Sequence, residues 1–136
     1  IVLGGYNSPA AKNTIEFFNI ASTGNAADFG DASLAASFGS ANSSSTRMIM
    51  QGGYTDALTT ETDTIQYVEM QSQGNGADFG NLLSSRANSA STGSCSTTRG
   101  LSEGGGTGGG GQVNEIEYIT MASVGNGTDF GDSCCL

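Results

Sequence analysis

Three copies of one seven-residue string constrain this chain more than any other feature. They read Gly24-Asn25-Ala26-Ala27-Asp28-Phe29-Gly30, Gly74-Asn75-Gly76-Ala77-Asp78-Phe79-Gly80 and Gly125-Asn126-Gly127-Thr128-Asp129-Phe130-Gly131. Starting at residues 24, 74 and 125, they repeat at a near-constant interval. A period of about fifty residues built from strands and turns points to repeated sheet modules. Residues that return three times are scaffold before they are active site. The motif predicts a tight turn flanked by Gly-Asn and Gly. Within it, Phe29, Phe79 and Phe130 plug between sheets and Asp28, Asp78 and Asp129 cap turn amides.

A strand precedes each copy: Thr14–Ser22, Thr64–Ser72 and Glu115–Ser123. β-Branched and aromatic residues dominate these segments. One face carries Ile15 and Phe17, Ile65 and Tyr67, or Ile116 and Tyr118. The other carries Phe18 and Ile20, Val68 and Met70, or Ile119 and Met121. A strand apolar on both faces must be covered on both, so sheets are expected to stack on sheets. Further upstream, apolar triplets run into paired glycines and an aromatic at Ile1–Tyr6 and Met48–Tyr54, with a degraded copy at Leu101–Gly106. Paired glycine at a strand end permits positive φ and close backbone approach. Ser-rich segments ending in Ser45-Thr46-Arg47 and Thr97-Thr98-Arg99 are expected to hold two further strands per unit. Each complete unit is then a four-stranded antiparallel module, with units at about 1–47, 48–99 and 100–136 in a single array.

Composition supports strands over helices. The 136 residues include 22 Gly, 1 Pro, no Trp and no His, and Gly costs about 1 kcal/mol against Ala inside a helix. Only 12% of residues are charged, 4 basic against 13 acidic. Lys12, Arg47, Arg86 and Arg99 cannot supply the basic footprint that nucleic acid or an anionic membrane surface requires. No apolar run approaches the ~20 residues that cross a bilayer. The chain shows no signal-peptide pattern and opens at Ile1, so it reads as processed or as an excerpt of something longer. Cys95, Cys134 and Cys135 are too few, without His, for a zinc site, and adjacent cysteines pair poorly. They read as small buried or half-exposed residues.

The apolar triplet, Gly-Gly, aromatic and fifty-residue period resemble kelch repeats. The Asn-Thr-Ile-Glu-Phe, Gly-Asn-x-x-Asp-Phe-Gly-Asp and Ser-Ser-Thr-Arg strings resemble repeats in virion structural and tail-fibre-like proteins of marine bacteriophages, cyanophages especially. The likeness runs over essentially the whole chain and implies an all-β fold of kelch-like β-propeller blades. Propellers close with about 4–8 blades, more than three units supply. The chain is therefore expected to be part of a larger ring or to share a ring with other chains. A three-sheet β-prism or trefoil is the alternative.

Candidate chemistry is sparse. Asp-Phe-Gly resembles a kinase magnesium motif, but three copies without a catalytic-loop His-Arg-Asp or a strand Lys rule it out. The Gly104–Gly111 tract lacks the Gly-Lys-Ser/Thr ending of a phosphate loop and reads as a flexible connection between strands. Asp28 with Asp31, and Asp129 with Asp132, offer hard oxygen ligands in Gly-rich turns and are weak calcium candidates, though Asn81 replaces the acid in the second unit. Glu115 and Glu117 share a strand face. A retaining glycosidase pair needs about 5 Å and an inverting pair about 6.5–9.5 Å. Recurrence at Glu16, Gln66 and Glu117 instead suggests a solvated or ladder position. Triads and copper chemistry fail for want of His. Asn42 and Asn126 head glycosylation sequons that matter only in a secretory eukaryotic context.

The expected role is therefore non-enzymatic and without a cofactor. The resemblance implies a structural module on a virion surface, in a tail fibre, appendage or decoration. Its partners would be other virion proteins and copies of itself, with host-surface glycans as the ligand class. Ser, Thr, Asn and Gly loops hydrogen-bond hydroxyls, and rim tyrosines stack on sugar rings. Tyr6, Asn7, Tyr54 and Asp56 lie in such loops. A cellular or secreted kelch-type interaction scaffold and a polysaccharide-degrading enzyme are the alternatives.

Overall fold

The computed structural model describes residues 1–89 and 94–134. It is all-β, with no helix among the described residues. The first sheet holds β1 (Val2–Asn7), β2 (Ala10–Phe17) and β3 (Ala27–Asp31) in that order. The second is a four-stranded meander of β4 (Ser40–Ser43), β5 (Arg47–Gln51), β6 (Thr64–Glu69) and β7 (Ala77–Asn81). The third pairs β8 (Arg99–Glu103), β11 (Glu115–Thr120) and β12 (Thr128–Asp132), with β11 in the centre. A small hairpin, β9 (Gly106–Thr107) and β10 (Gly111–Gln112), rises between β8 and β11. All pairings between named strands are antiparallel.

The Ser-rich segment after the first motif supplies one strand rather than two, and that strand joins the following sheet. β4 pairs with β5 across the Ser44–Thr46 turn. The second sheet thus runs from Ser40 to Asn81 and straddles the unit boundary drawn at 47/48. The third sheet repeats the device in miniature. Cys95 bridges Gly100, and the Leu101 amide donates to the Ser94 carbonyl at 2.9 Å. The Ser-x-Thr-Arg strings owe their form to this hairpin. Ser44 Oγ accepts from the Arg47 amide at 3.0 Å, as Ser96 Oγ does from Arg99. The arginines then lie over Tyr67 and Tyr118, 4.7 and 4.4 Å from the ring centroids.

Asp-Phe-Gly lies inside β3, β7 and β12, not in a tight turn. In each hairpin Phe is the extra residue of a bulge: Ile15 faces Gly30 and Glu16 faces Asp28, leaving Phe29 between them. Register shifts also interrupt β6–β7 and β11–β12. A bulge turns a side chain away from the alternation of its strand. Phe29 thereby meets Phe17 edge to face with ring centroids 6.0 Å apart, and Phe79 meets Tyr67 at 5.7 Å.

Sheets stack front to back. Ile15, Phe29 and Ala32 pack with Val68, joined by Leu3, Phe17 and Met48. Ile49, Ile65, Phe79 and Leu82 pack with Ile119 and Met121. Full burial of such a side chain contributes about 1.5–3 kcal/mol, so these two layers are the core. A backbone clamp adds to each. The Gly74 amide donates to the Phe29 carbonyl (2.9 Å), Gly76 to Asp31 (2.7 Å), and the Asp31 amide to Asn75 Oδ1 (3.0 Å). One period later, Gly125 donates to Phe79 (2.7 Å), Gly127 to Asn81 (2.8 Å), and the Asn81 amide to Asn126 Oδ1 (3.0 Å). Gly30 and Gly80 are required there. Both have φ +149°, and a Cβ on either would run into the carbonyl oxygen of Gly74 or Gly125. Gly-Asn is thus the half of the motif that grips the preceding sheet, and Phe-Gly-Asp/Asn is the half that is gripped.

Candidate functional site

Between the stacked sheets, the loops that differ from unit to unit form a rim. The β5–β6 loop is the most built of them. Tyr54 exchanges backbone hydrogen bonds with Ser37 at 2.8 and 3.0 Å, tying the loop to the segment after the first motif. Asp56 holds its tip: the carboxylate accepts from the Thr59 and Thr60 amides (2.9 and 3.0 Å) and from both hydroxyls (2.9 and 2.7 Å). The Thr59 amide, followed by those hydroxyls, holds the Asp56 carboxyl well below the ordinary carboxylate range. Four donors from its own loop occupy this acid, so its role is to cap the loop. Leu58 sits at φ +71°, a conformation uncommon for a non-glycine residue.

Opposite stands the glycine tract, which is the ordered β9–β10 hairpin rather than a flexible connection. Tyr54, Leu58, Thr59 and Glu61 on one side and residues 106–112 on the other enclose a cleft of about 440 Å³. Its walls offer one aromatic ring, hydroxyls, one carboxylate and main-chain amides of glycine. Such a lining suits a polyhydroxylated ligand. Tyr54 is steadied by an edge contact with Phe38 at 6.4 Å and a 3.4 Å hydrogen bond from Asn88.

Tyr6 and Asn7 lie elsewhere. With Val2, Lys12, Thr14 and Glu16 they line a second cleft of about 240 Å³ on the first sheet. The four sequence candidates therefore separate into two places, and only Tyr54, with the loop that Asp56 caps, belongs to the larger cleft. Asp28 and Asp31 are exposed on β3, as are Asp129 and Asp132 on β12. Among the described residues no group of three or more His, Cys, Asp or Glu comes together to hold a metal ion. Cys95 and Cys134 are exposed, and Cys135 lies outside the described residues.

Sequence reasoning missed the one fully buried cation among the described residues. Arg86 is 0% exposed and forms ion pairs with Glu115 (3.4 Å) and with the equally buried Glu117. It also donates to the Gly104 and Glu115 carbonyls, both at 3.3 Å. Burial pulls the Arg86 pKa down, and Glu115 opposes that shift. Glu117 Oε2 accepts from the Leu83 amide at 2.8 Å. Glu117 is therefore an inter-sheet anchor, not a solvated position, and Glu115 is engaged by Arg86 and Ser84. Gln66 does the same work one sheet earlier, accepting from the Leu34 amide (3.1 Å) and Ser33 Oγ (3.0 Å) and donating to the Leu34 carbonyl (2.9 Å). The signal was present in the repeat: where Gln66 becomes Glu117, Ala36 becomes Arg86. The sequon asparagines are likewise structural. Asn42 is buried and takes a hydrogen bond from Gln51, and Asn126 clamps Asn81.

No protein-family model matches the chain, and no curated protein matches it.

Proposed function

We propose that this chain is a non-enzymatic structural module of a bacteriophage virion surface, in a tail fibre, appendage or decoration. In this reading its sheets are blades of a kelch-like β-propeller that other blades complete, and its rim meets host-surface glycans. The observation that carries the reading is a division of labour. The residues that recur in every unit join sheet to sheet, whereas the cleft beside Tyr54 is walled by two loops, the one carrying Leu58, Thr59 and Glu61 and the glycine hairpin, that differ in length and sequence from their counterparts in the other units. A repeated scaffold with one variable, hydroxyl-compatible rim is what a surface module with a ligand needs. The non-enzymatic assignment is supported by the occupation of Glu115 and Glu117, whose carboxylates bind Arg86, Ser84 and the Leu83 amide.

Glycan-array binding of the chain, lost in Tyr54→Ala with folding intact, is the expected result. Array silence, together with unimpaired host attachment by virions lacking the module, would reject the adhesive role and leave a pure assembly element. Absence of the protein from purified virions would reject the virion assignment. Depolymerisation of host polysaccharide by the wild-type chain, lost in Glu115→Gln, would overturn the non-enzymatic one.

A further inference from the structure

Among the described residues, only three other than glycine have positive φ: Phe38 at +59°, Leu58 at +71° and Asn88 at +57°. All three surround Tyr54. Phe38 meets its ring edge to face at 6.4 Å, Asn88 Nδ2 donates to its hydroxyl at 3.4 Å, and Leu58 shares its wall of the larger cleft. Phe38 and Asn88 hold the same place in successive units, just after Ala36 and Arg86. Left-handed backbone suits asparagine and is an outlier for a bulky side chain. Phe38 is also 54% exposed, so neither its backbone nor its burial accounts for a phenylalanine there. What it does is fix the Tyr54 ring, and strain of this kind gathers at sites that need a preset group.

Glu61 stands directly across an antiparallel bridge from Tyr54, which puts both side chains on one face. Asp56, Glu115 and Glu117 are each occupied by protein donors. The half-buried Glu61 carboxylate has no hydrogen bond or ion pair with a described residue. It lies against the hairpin tip, where a Cβ on Gly108 would stand 3.0 Å from Oε2. The Gly108 and Gly109 amides on that facing wall likewise have no partner among the described residues. None of the four basic side chains lines the cleft.

From this arrangement we infer that the cleft takes an uncharged pyranose, with Glu61 as the residue that sets its specificity. An ionised carboxylate only accepts, and its two oxygens take hydroxyl protons from neighbouring ring carbons. The hairpin amides donate to hydroxyl oxygens, which an ammonium group, having no lone pair, cannot replace. The fixed Tyr54 ring covers the sugar's apolar face, and its preset position spares the ordering cost of binding. A sugar acid would bring a second carboxylate beside Glu61 with no cation to receive it, on a chain of net charge −9. The inference rests on the rim being a glycan site, but not on the virion setting.

The test is calorimetric titration of the whole chain, at neutral pH and low salt, with tetrasaccharides of glucose, galactose and mannose. Each is paired with its uronic-acid and amino-sugar counterparts. At least one neutral tetramer should bind, and its uronate should bind at least about tenfold more weakly. Glu61→Gln should weaken the neutral ligand severalfold and strengthen the uronate. Added salt should help the uronate more on the wild type than on that variant. Glu61 lies outside both apolar layers, and an unchanged urea melt of Glu61→Gln confirms that it folds. Phe38→Asn should raise the urea midpoint while weakening the neutral ligand, opposite signs that a purely structural role could not produce. Uronates or amino sugars bound more tightly than neutral sugars, or neutral affinity untouched by either variant, would overturn the inference and leave the glycan reading standing. Silence toward all three charge classes would sink that reading itself, and the inference with it.

Discussion

The two internal junctions share a backbone clamp and differ at its centre. Between the first and second sheets a neutral amide, Gln66, bonds Leu34 and Ser33 beside the small buried Ala36. Between the second and third sheets a carboxylate, Glu117, takes its place, and Arg86 fills the space above it. The geometry is kept while a neutral arrangement becomes an ion pair. The ionic version carries a risk that the neutral version avoids. Two charges removed from water cost several kcal/mol each unless they find one another. What holds the stack is the shape of the junction and its apolar layer, and the central pair is an interchangeable insert.

The comparison breaks first at the ionic insert. Arg86→Met leaves Glu117 buried and unpaired, and should destabilise the chain by about 3–5 kcal/mol in urea titrations. Converting the junction to the neutral form, Arg86→Ala with Glu117→Gln, should recover most of that loss. A double variant no better than Arg86→Met would show that the charges are not interchangeable with the amide. Gly80→Ala should cost about 1–3 kcal/mol from backbone strain alone, and more because of the Gly125 carbonyl. Gly131→Ala, at a similar φ with open space around it, should show the strain without the collision. Equal losses at the two positions would mean that docking does not depend on the close approach.

Smaller effects probe what the junctions have in common. Asn75→Ala and Asn126→Ala should each cost about 0.5–1.5 kcal/mol, and by similar amounts, because each removes the same 3.0 Å hydrogen bond. The smallest effect lies outside both junctions. The Asp56 pKa is depressed on folding, so its contribution to loop order is present above the ordinary value of 3.8 and fades as pH falls below it. Hydrogen exchange at the Thr59 and Thr60 amides should accelerate on acidification, and Asp56→Ala should produce the same rates at neutral pH. Exchange that spread into β6 or β11 would show that the rim and the junctions are one cooperative unit.

Much of the stack was legible in the residues. The alternation that places Ile15 and Phe17 on one face and Phe18 and Ile20 on the other is a local pattern, and it dictates a sheet on either side. The motif was harder. A turn reading assumes partners a few residues away, but Asn75 bonds Asp31, 44 residues earlier. The bulge that swings Phe29 out of its strand depends on pairing with Ile15 and Glu16, which strand alternation does not encode. Glu117 looked solvated because it sits on an alternating strand opposite apolar residues. Its burial becomes readable only when Ala36 and Arg86 are aligned with Gln66 and Glu117. The rim was legible least. Tyr6 and Tyr54 hold equivalent positions after paired glycines, yet a short turn follows one and a loop with its own capping acid follows the other, so they end in different clefts.

The clamp between sheets is made of main-chain groups and a single asparagine side chain. Such a coupling is blind to most of what a unit's sequence says, so units can be duplicated, deleted or exchanged without redesigning their neighbours. The Arg86–Glu117 pair is the exception. Because a lone buried charge is costly, it marks which unit can follow which, and so writes an order into an array whose couplings would otherwise accept any.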